Sequence, residues 1–189
     1  MTRVSHPRLP LVALALLLAT GCGYNTIQTL DENVNKAEGN IKAQLQRRAD
    51  LIPNLVATVK GFAQQESTIF IRVAEARSRL AGAVQSGSVG EMAEANAALS
   101  QPLSRLLAIA EAYPELKSNQ NFLQLQDELT GTENRISVAR QDYNAAVEAF
   151  NAYIRKFPYN LTAKMFGHGK PREYFQTTAG AEEPPKVQF

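Results

Sequence analysis

The sequence has few of the residues that build disulfides and metal sites. Among its 189 residues there is one cysteine, Cys22, and there are two histidines. A single cysteine cannot form an internal disulfide, and His168 lies in a glycine-rich stretch outside the predicted helices. Metal sites in helical bundles use inward-facing Glu and Glu-x-x-His motifs, which these helices lack. We expect no metal, no cofactor and no catalytic Cys-His or Ser-His-Asp set, and hence no enzymatic activity.

The chain also lacks an excess of either charge. It has 20 basic and 18 acidic residues, and two of the basic ones, Arg3 and Arg8, precede Cys22 in a segment without an acid. From Cys22 onward the two signs therefore balance at 18 each. Nucleic-acid binding depends on clustered cations that neutralise phosphates, so we expect no nucleic-acid partner. A phosphate-binding loop is not predicted either, because GAVQSGSVG at 82–90 has no lysine and no preceding strand.

No hydrophobic run is long enough to suggest a membrane-spanning helix. The run from Leu11 to Ala19 follows two arginines and falls well short of the roughly 20 residues that a span needs. The next residues, Thr20-Gly21-Cys22, resemble the end of a bacterial lipoprotein signal, in which the cysteine is acylated and becomes the new amino terminus. We predict a signal peptide over residues 1–21 and a lipidated Cys22. The alternative is an uncleaved signal anchor with an incidental cysteine.

This interpretation also predicts a location. Positive residues before the apolar run place the rest of the chain outside the cytoplasm, facing the periplasm. Two or more acyl chains on Cys22 would hold it stably on a membrane. Gly23, standing where aspartate would follow the cysteine, favours the outer membrane if the cell has two membranes.

A long amphipathic stretch, from Leu45 to Leu80, is the main structural signal. Steps of three and four residues give eleven positions: Leu45, Arg48, Ile52, Leu55, Val59, Phe62, Glu66, Ile69, Val73, Ala76 and Leu80. Nine of them are apolar, and Arg48 and Glu66 are charged. This repeat is typical of helices that pack together as in a coiled coil. As one helix the stretch would be about 54 Å long. Pro53 predicts a kink, although a fresh helix start capped by Asp50 is the alternative.

Two further helices are predicted. Ser88 and Glu91 fit a capping box for a helix over Val89–Ala112, whose inner face has Met92, Leu99, Leu103, Leu106, Ala110 and Tyr113. A third helix has a stripe of Phe122, Leu125, Leu129, Thr132, Ile136, Ala139, Tyr143, Ala146, Phe150, Tyr153 and Phe157. Asn160 is placed to cap a short helix over Leu161–Phe166.

These elements predict an all-α fold, an elongated antiparallel bundle of three long helices and a short carboxy-terminal one, of four-helix-bundle type. We expect a lipid-anchored helical stalk over 22–44, a bundle domain over 45–167 and an extended tail over 168–189. The tail is rich in Gly, Pro and charge, and Tyr174, Phe175 or Phe189 would pin it to the bundle.

Two charges in the long stripe are the candidate site residues. By counting levels, Glu66 is predicted to meet Arg105 and Tyr143 in a buried polar network, and Arg48 to lie near Gln124, Gln126 and Glu128. A buried carboxylate without a partner would be costly. These residues either fix the register of the helices or line a ligand pocket around Glu66.

The runs RRADLIPNLVATVKGFA (47–63), LSRLLAIAEAYPELKSNQNFLQLQDELTGTENRISVARQDYNAAVEAFNAYIRKFP (103–158) and PPKVQF (184–189) resemble the LemA family of bacterial envelope proteins. The resemblance implies a membrane-attached antiparallel helical bundle and offers no catalytic residues. Many members have a longer apolar amino-terminal span than this chain. We therefore expect a lipid-anchored structural or interaction module of the cell envelope with an unknown protein partner. The alternative is a small-ligand sensor.

Overall fold

A computed structural model describes the backbone of residues 8–176 and the side chains of residues 23–176. This part of the chain is helical and contains no strand, which confirms the all-α prediction. It forms six helices in the order α1 (Arg8–Lys60), α2 (Ser67–Ser86), α3 (Val89–Ala112), α4 (Pro114–Lys117), α5 (Gln120–Tyr153) and α6 (Tyr159–Met165).

The predicted single helix over Leu45–Leu80 is wrong, because the chain turns between α1 and α2. The helix ends at Lys60, and the amides of Phe62 and Ala63 both donate to the Val59 carbonyl at 3.0 Å. The turn was hidden because Val59 and Val73 are fourteen residues apart, two heptads, and both are fully buried. Periodicity alone cannot distinguish one long helix from a hairpin that keeps the heptad phase.

Pro53 lies inside α1, so the helix neither ends there nor starts afresh at Asp50. Proline has no amide hydrogen, which leaves the carbonyl four residues earlier, that of Ala49, without its helical donor. The Nε of Arg77 on α2 donates to that carbonyl at 3.1 Å. Ala49 is eleven residues before the end of α1 and Arg77 ten residues after the start of α2, so the two helices are antiparallel.

The turn from α2 to α3 lies where predicted and forms half of the predicted capping box. Gly87 adopts a left-handed conformation, with φ of 80°, that closes α2. The amide of Glu91 donates to the Ser88 hydroxyl at 3.4 Å, which is one half of the capping box. The Glu91 carboxylate instead accepts a hydrogen bond from the Ser86 hydroxyl at 2.8 Å. Helix α3 has the predicted bounds, and its predicted inner face is buried apart from Tyr113, which is half-buried.

The chain divides into two compact units. One, called here the bundle unit, comprises Ala37–Asn144 and the chain from Glu173 onward. It contains the second part of α1 together with α2, α3, α4 and most of α5. The predicted scheme of three long helices and a partial fourth layer from the short last helix needs correction, since α2 is a separate helix and α6 belongs to the other unit.

The other unit, called here the first unit, comprises the chain up to Lys36 and Ala145–Arg172. Ile27 and Val34 of α1 are fully buried, so the region predicted as a stalk is packed. Val147 on α5 and Ile154 directly after it are buried in place of the predicted Ala146 and Tyr153. Helix α6 starts at Tyr159, and its first turn has no side-chain cap, so Asn160 is not the predicted cap.

We predict that the effect of removing Arg77 depends on Pro53. Arg77→Met deprives the Ala49 carbonyl of its donor and should lower the free energy of unfolding by about 1–3 kcal/mol. In a Pro53→Ala background the restored amide serves that carbonyl, so the same change should cost about 1 kcal/mol less. Urea unfolding of both single variants and the double variant, followed by circular dichroism, measures this coupling.

The matched control is Arg72→Met, which removes an exposed arginine from the same helix and should change the free energy by less than about 0.5 kcal/mol. An equal cost of Arg77→Met in the two backgrounds would show that Arg77 does not act through the carbonyl freed by Pro53.

Candidate functional site

Among the described residues of the bundle unit, the most enclosed charged group is the guanidinium of Arg48, in the second half of α1. The residue is 5% exposed. Its Nη1 donates to Oδ1 of Asn96 and lies 2.9 Å from Oε2 of Glu133. Its Nη2 donates to the hydroxyl of Ser100 at 3.3 Å. We call these four residues the Arg48 cluster; it joins α1 to α3 and α5.

The electrostatics of the cluster explain why the charge is tolerated. Burial lowers the pKa of Arg48, because the charged form loses its hydration, and the Glu133 carboxylate acts in the opposite direction. The Glu133 side chain is 52% exposed, so its own carboxylate keeps part of its water shell. A paired guanidinium is neither a nucleophile nor a base at neutral pH, and its rigid fork suits it to fixing the geometry of three helices.

The prediction found the buried arginine but assigned it the wrong partners. Glu128 contacts the neighbouring Arg47, at 3.8 Å, and their side chains are 36% and 55% exposed. Glu133 is five residues further along α5, more than one helical turn. The error arose because levels were counted from an uninterrupted helix over 45–80, and the true turns displace α5 relative to α1.

A surface pocket of about 270 Å³ adjoins the Arg48 cluster. Arg48, Ser100 and Glu133 form its polar side, and Leu103, Leu107 and Leu129 are among its apolar residues. On this polar side the guanidinium of Arg48 is bonded to both Ser100 and Glu133. The half-exposed Glu133 carboxylate also faces solvent.

The predicted network of Glu66, Arg105 and Tyr143 does not form as a buried set. Arg105 is exposed on α3, and Glu66 is half-buried at the residue before α2 begins. Tyr143 is fully buried as predicted, but its hydroxyl donates to the backbone carbonyl of Glu173 at 2.9 Å. Glu66 interrupts the stripe because it marks a helix start, where an acidic side chain is favourable.

The carboxy-terminal segment of the bundle unit is held by an asparagine that the sequence analysis did not identify. Oδ1 of Asn144 accepts the Phe175 amide at 2.8 Å, and its Nδ2 donates to the Phe175 carbonyl at 3.2 Å. Phe175 is fully buried, which confirms it as a pin of the tail, whereas Tyr174 is exposed. Phe189 lies outside the described residues.

The first unit uses the same two-bond contact at Asn151. Its Oδ1 accepts the Arg172 amide at 2.8 Å and its Nδ2 donates to the Arg172 carbonyl at 2.9 Å. The Arg172 side chain pairs with Asp31 at 2.8 Å. His168 is also part of this unit, with its Nε2 2.8 Å from Nε2 of Gln28. Two asparagines next to stripe residues, the half-buried Asn144 and the buried Asn151, were the available sequence signal.

The predicted lipidation site cannot be placed, because the side chain of Cys22 is outside the described side chains. In the part of the chain that the structure describes, no helix combines the length and the apolar character needed to cross a membrane. Among the same residues, no three or more His, Cys, Asp or Glu side chains are grouped so as to hold a metal ion.

Comparison with known proteins gives a consistent assignment. The LemA family profile matches residues 37–189. The chain is 29% identical over 184 residues to magnetosome protein MamQ 2 of Paramagnetospirillum magneticum, covering 85% of this chain and 67% of the relative. It is 27% identical over 184 residues, with the same coverage, to magnetosome protein MamQ of Magnetospirillum gryphiswaldense.

We predict unequal costs for removing the two charged members of the Arg48 cluster. Glu133→Ala leaves a buried guanidinium without its counter-charge and should lower the free energy of unfolding by about 3 kcal/mol. Arg48→Met leaves the buried side-chain oxygen of Asn96 without its donor, while Glu133 recovers its hydration, and should cost less, about 1–2 kcal/mol. Chemical unfolding at neutral pH measures both values.

Arg47→Met is the control on the adjacent residue, since its contact with Glu128 is exposed and should contribute less than about 1 kcal/mol. If Arg47→Met proved as destabilising as Arg48→Met, the cluster would have no special role in fixing the helices.

Proposed function

The chain belongs to the LemA family, and from this we propose that it is a membrane-anchored helical protein acting as a structural or protein-interaction module of the bacterial cell envelope. It is not an enzyme on this proposal. It faces the periplasm, held by acyl chains on Cys22, in the outer membrane where the cell has two. Its partner is a protein of the same compartment.

The Arg48 cluster is the observation that most supports a structural role. The buried guanidinium of Arg48 is paired with Glu133 on α5 and hydrogen-bonded to Asn96 and Ser100 on α3. A binding or catalytic site needs polar groups that remain available to a ligand. Here the most buried charge instead fixes the helices relative to one another, as expected of a rigid module.

Exposed apolar side chains of the bundle unit supply candidate contact positions for a partner. Ile71 on α2 and Val138 on α5 are both more than half exposed. Val138 also borders a surface pocket between α1 and α5, with Asn40 and Gln44 on its other side.

Two of the relatives are named magnetosome proteins, which agrees with a role for chains of this kind in organised cellular assemblies.

The anchor has a direct test. Mass analysis of the mature amino terminus should show cleavage before Cys22 and a mass increase equal to a diacylglyceryl group, with or without a further acyl chain. A Cys22→Ser variant should keep residues 1–21 and lose the added mass. An intact Met1, or an unmodified Cys22 at the terminus, would refute lipid anchorage.

The interaction role predicts a specific neighbour. A photo-crosslinking residue introduced at Ile71 or Val138 in living cells should capture the same envelope protein in independent preparations, as identified by mass spectrometry. The matched control is the buried Leu80 on α2, which should capture none, since it is fully enclosed. Failure of both exposed positions to yield a reproducible partner would contradict the interaction module.

A further inference from the structure

The first unit exposes a group of large apolar side chains around its short helix. Phe157, Leu161, Met165 and Phe166 are between 51% and 80% exposed, and we call them the α6 surface. Phe157 precedes the helix, the next two lie on it, and Phe166 follows it. A cluster of four such side chains in ten residues differs from the isolated apolar residues that any protein surface has, and it marks a contact surface.

The charge along the segment that carries the α6 surface has one sign. From Ala149 to Arg172 the sequence contains no aspartate or glutamate and five cations: Arg155, Lys156, Lys164, Lys170 and Arg172. Arg172 is paired with Asp31, and the other four are exposed. Since the chain from Cys22 onward is neutral as a whole, this concentration of positive charge is local. Basic residues beside exposed apolar ones are typical of segments that bind anionic membrane surfaces.

Contacts within the first unit hold the α6 surface against Gly23 and Tyr24, the first residues whose side chains are described. The rings of Tyr24 and Phe166 have centroids 4.7 Å apart. Gly23 packs so closely on Tyr159 that a Cβ at that position would lie 2.5 Å from the ring. Gly23 directly follows Cys22 in the sequence, so the α6 surface is fixed beside the residue proposed to carry the acyl chains.

Two tyrosines complete the pattern. Tyr153 at the end of α5 and Tyr159 at the start of α6 stack with ring centroids 4.5 Å apart, and both are half-buried. Tyrosine rings with one apolar and one polar end are enriched where proteins meet the headgroup region of a bilayer. Aromatic, aliphatic and cationic side chains thus occur together, as interfacial binding requires.

We propose that the α6 surface is a membrane-contact site that binds an anionic phospholipid bilayer. Phe157, Leu161 and Met165 enter the boundary between headgroups and acyl chains, while Lys156 and Lys164 pair with lipid phosphates. The proposal rests in part on the proposed anchorage at Cys22, which keeps the surface close to lipid and makes a weak insertion sufficient. Acyl chains tether a protein without orienting it, and this second contact gives the first unit a fixed orientation.

The test exploits the absence of tryptophan from the sequence. Phe157→Trp and Met165→Trp each introduce a single fluorophore on the α6 surface, at residues more than 70% exposed, where folding is little affected. The full-length protein is reconstituted in vesicles of phosphatidylethanolamine and phosphatidylglycerol with brominated acyl chains, which quench tryptophan on contact. Both reporters should lose at least about half of their fluorescence and shift to shorter wavelength on entering the apolar boundary.

The control reporters are Ile71→Trp and Val138→Trp in the bundle unit, whose native residues are 58% and 57% exposed. They should keep their fluorescence in the same vesicles. Adding Lys156→Glu and Lys164→Glu to the Phe157→Trp protein should reduce quenching toward the control level. Vesicles made only of phosphatidylcholine, with the same brominated acyl chains, should quench the unchanged Phe157→Trp protein equally little, because the anionic headgroups are then missing.

The outcomes separate this proposal from the anchor. Unquenched Phe157→Trp and Met165→Trp reporters in a protein whose Cys22 is acylated would overturn the membrane contact and leave the anchor intact. Quenched reporters in a protein with unmodified Cys22 would support the contact and refute the anchor. Reporters shielded from iodide in isolated envelopes, yet unquenched by brominated lipid, would show that a protein covers the α6 surface, which also overturns the proposal.

Discussion

Six residues of α1, from Arg48 to Pro53, determine how the helices of the bundle unit pack. Pro53 leaves the backbone carbonyl of Ala49 without its helical donor, and Nε of Arg77 on α2 donates to that carbonyl at 3.1 Å. The guanidinium of Arg48, the residue before Ala49, contacts α3 and Glu133 of α5. A proline inside a helix destabilises that helix, and a buried charge without a partner destabilises the fold. Placed side by side, they give α1 polar groups that only correctly positioned neighbours can satisfy, which specifies how all three pack against it.

Local chemistry made some parts of the fold predictable. The bounds of α3 follow from the Ser88 cap and the boundary before Pro114, signals that act within a few residues. The burial of Arg48 follows from its position in an apolar stripe. The turn after Lys60 could not be obtained from the stripe, because Val59 and Val73 keep the same phase in a hairpin and in a continuous helix. Gly61 and Glu66 were its only local signs.

Contacts between distant segments were not predictable, because they depend on where the turns fall. For this reason the observed partner of Arg48 is Glu133 and not the predicted Glu128. Tyr143 shows a second limit, since its hydroxyl bonds to a backbone carbonyl of an irregular segment. A periodic pattern describes side chains on regular helices and gives no information about carbonyls in the tail. The asparagine at 144 is decisive there, as its amide matches both backbone groups of Phe175.

The predicted burial of the α5 stripe is most clearly wrong at Phe157, and for a different reason. Periodicity assigned this residue to the core, yet α5 ends at Tyr153 and Phe157 is 80% exposed. Exposing a phenylalanine beside Leu161 and Met165 leaves apolar area in water, at about 25 cal/mol per Å². Departure from the periodic pattern thus coincides with a surface suited to lipid, and local rules break most readily where a surface serves something outside the chain.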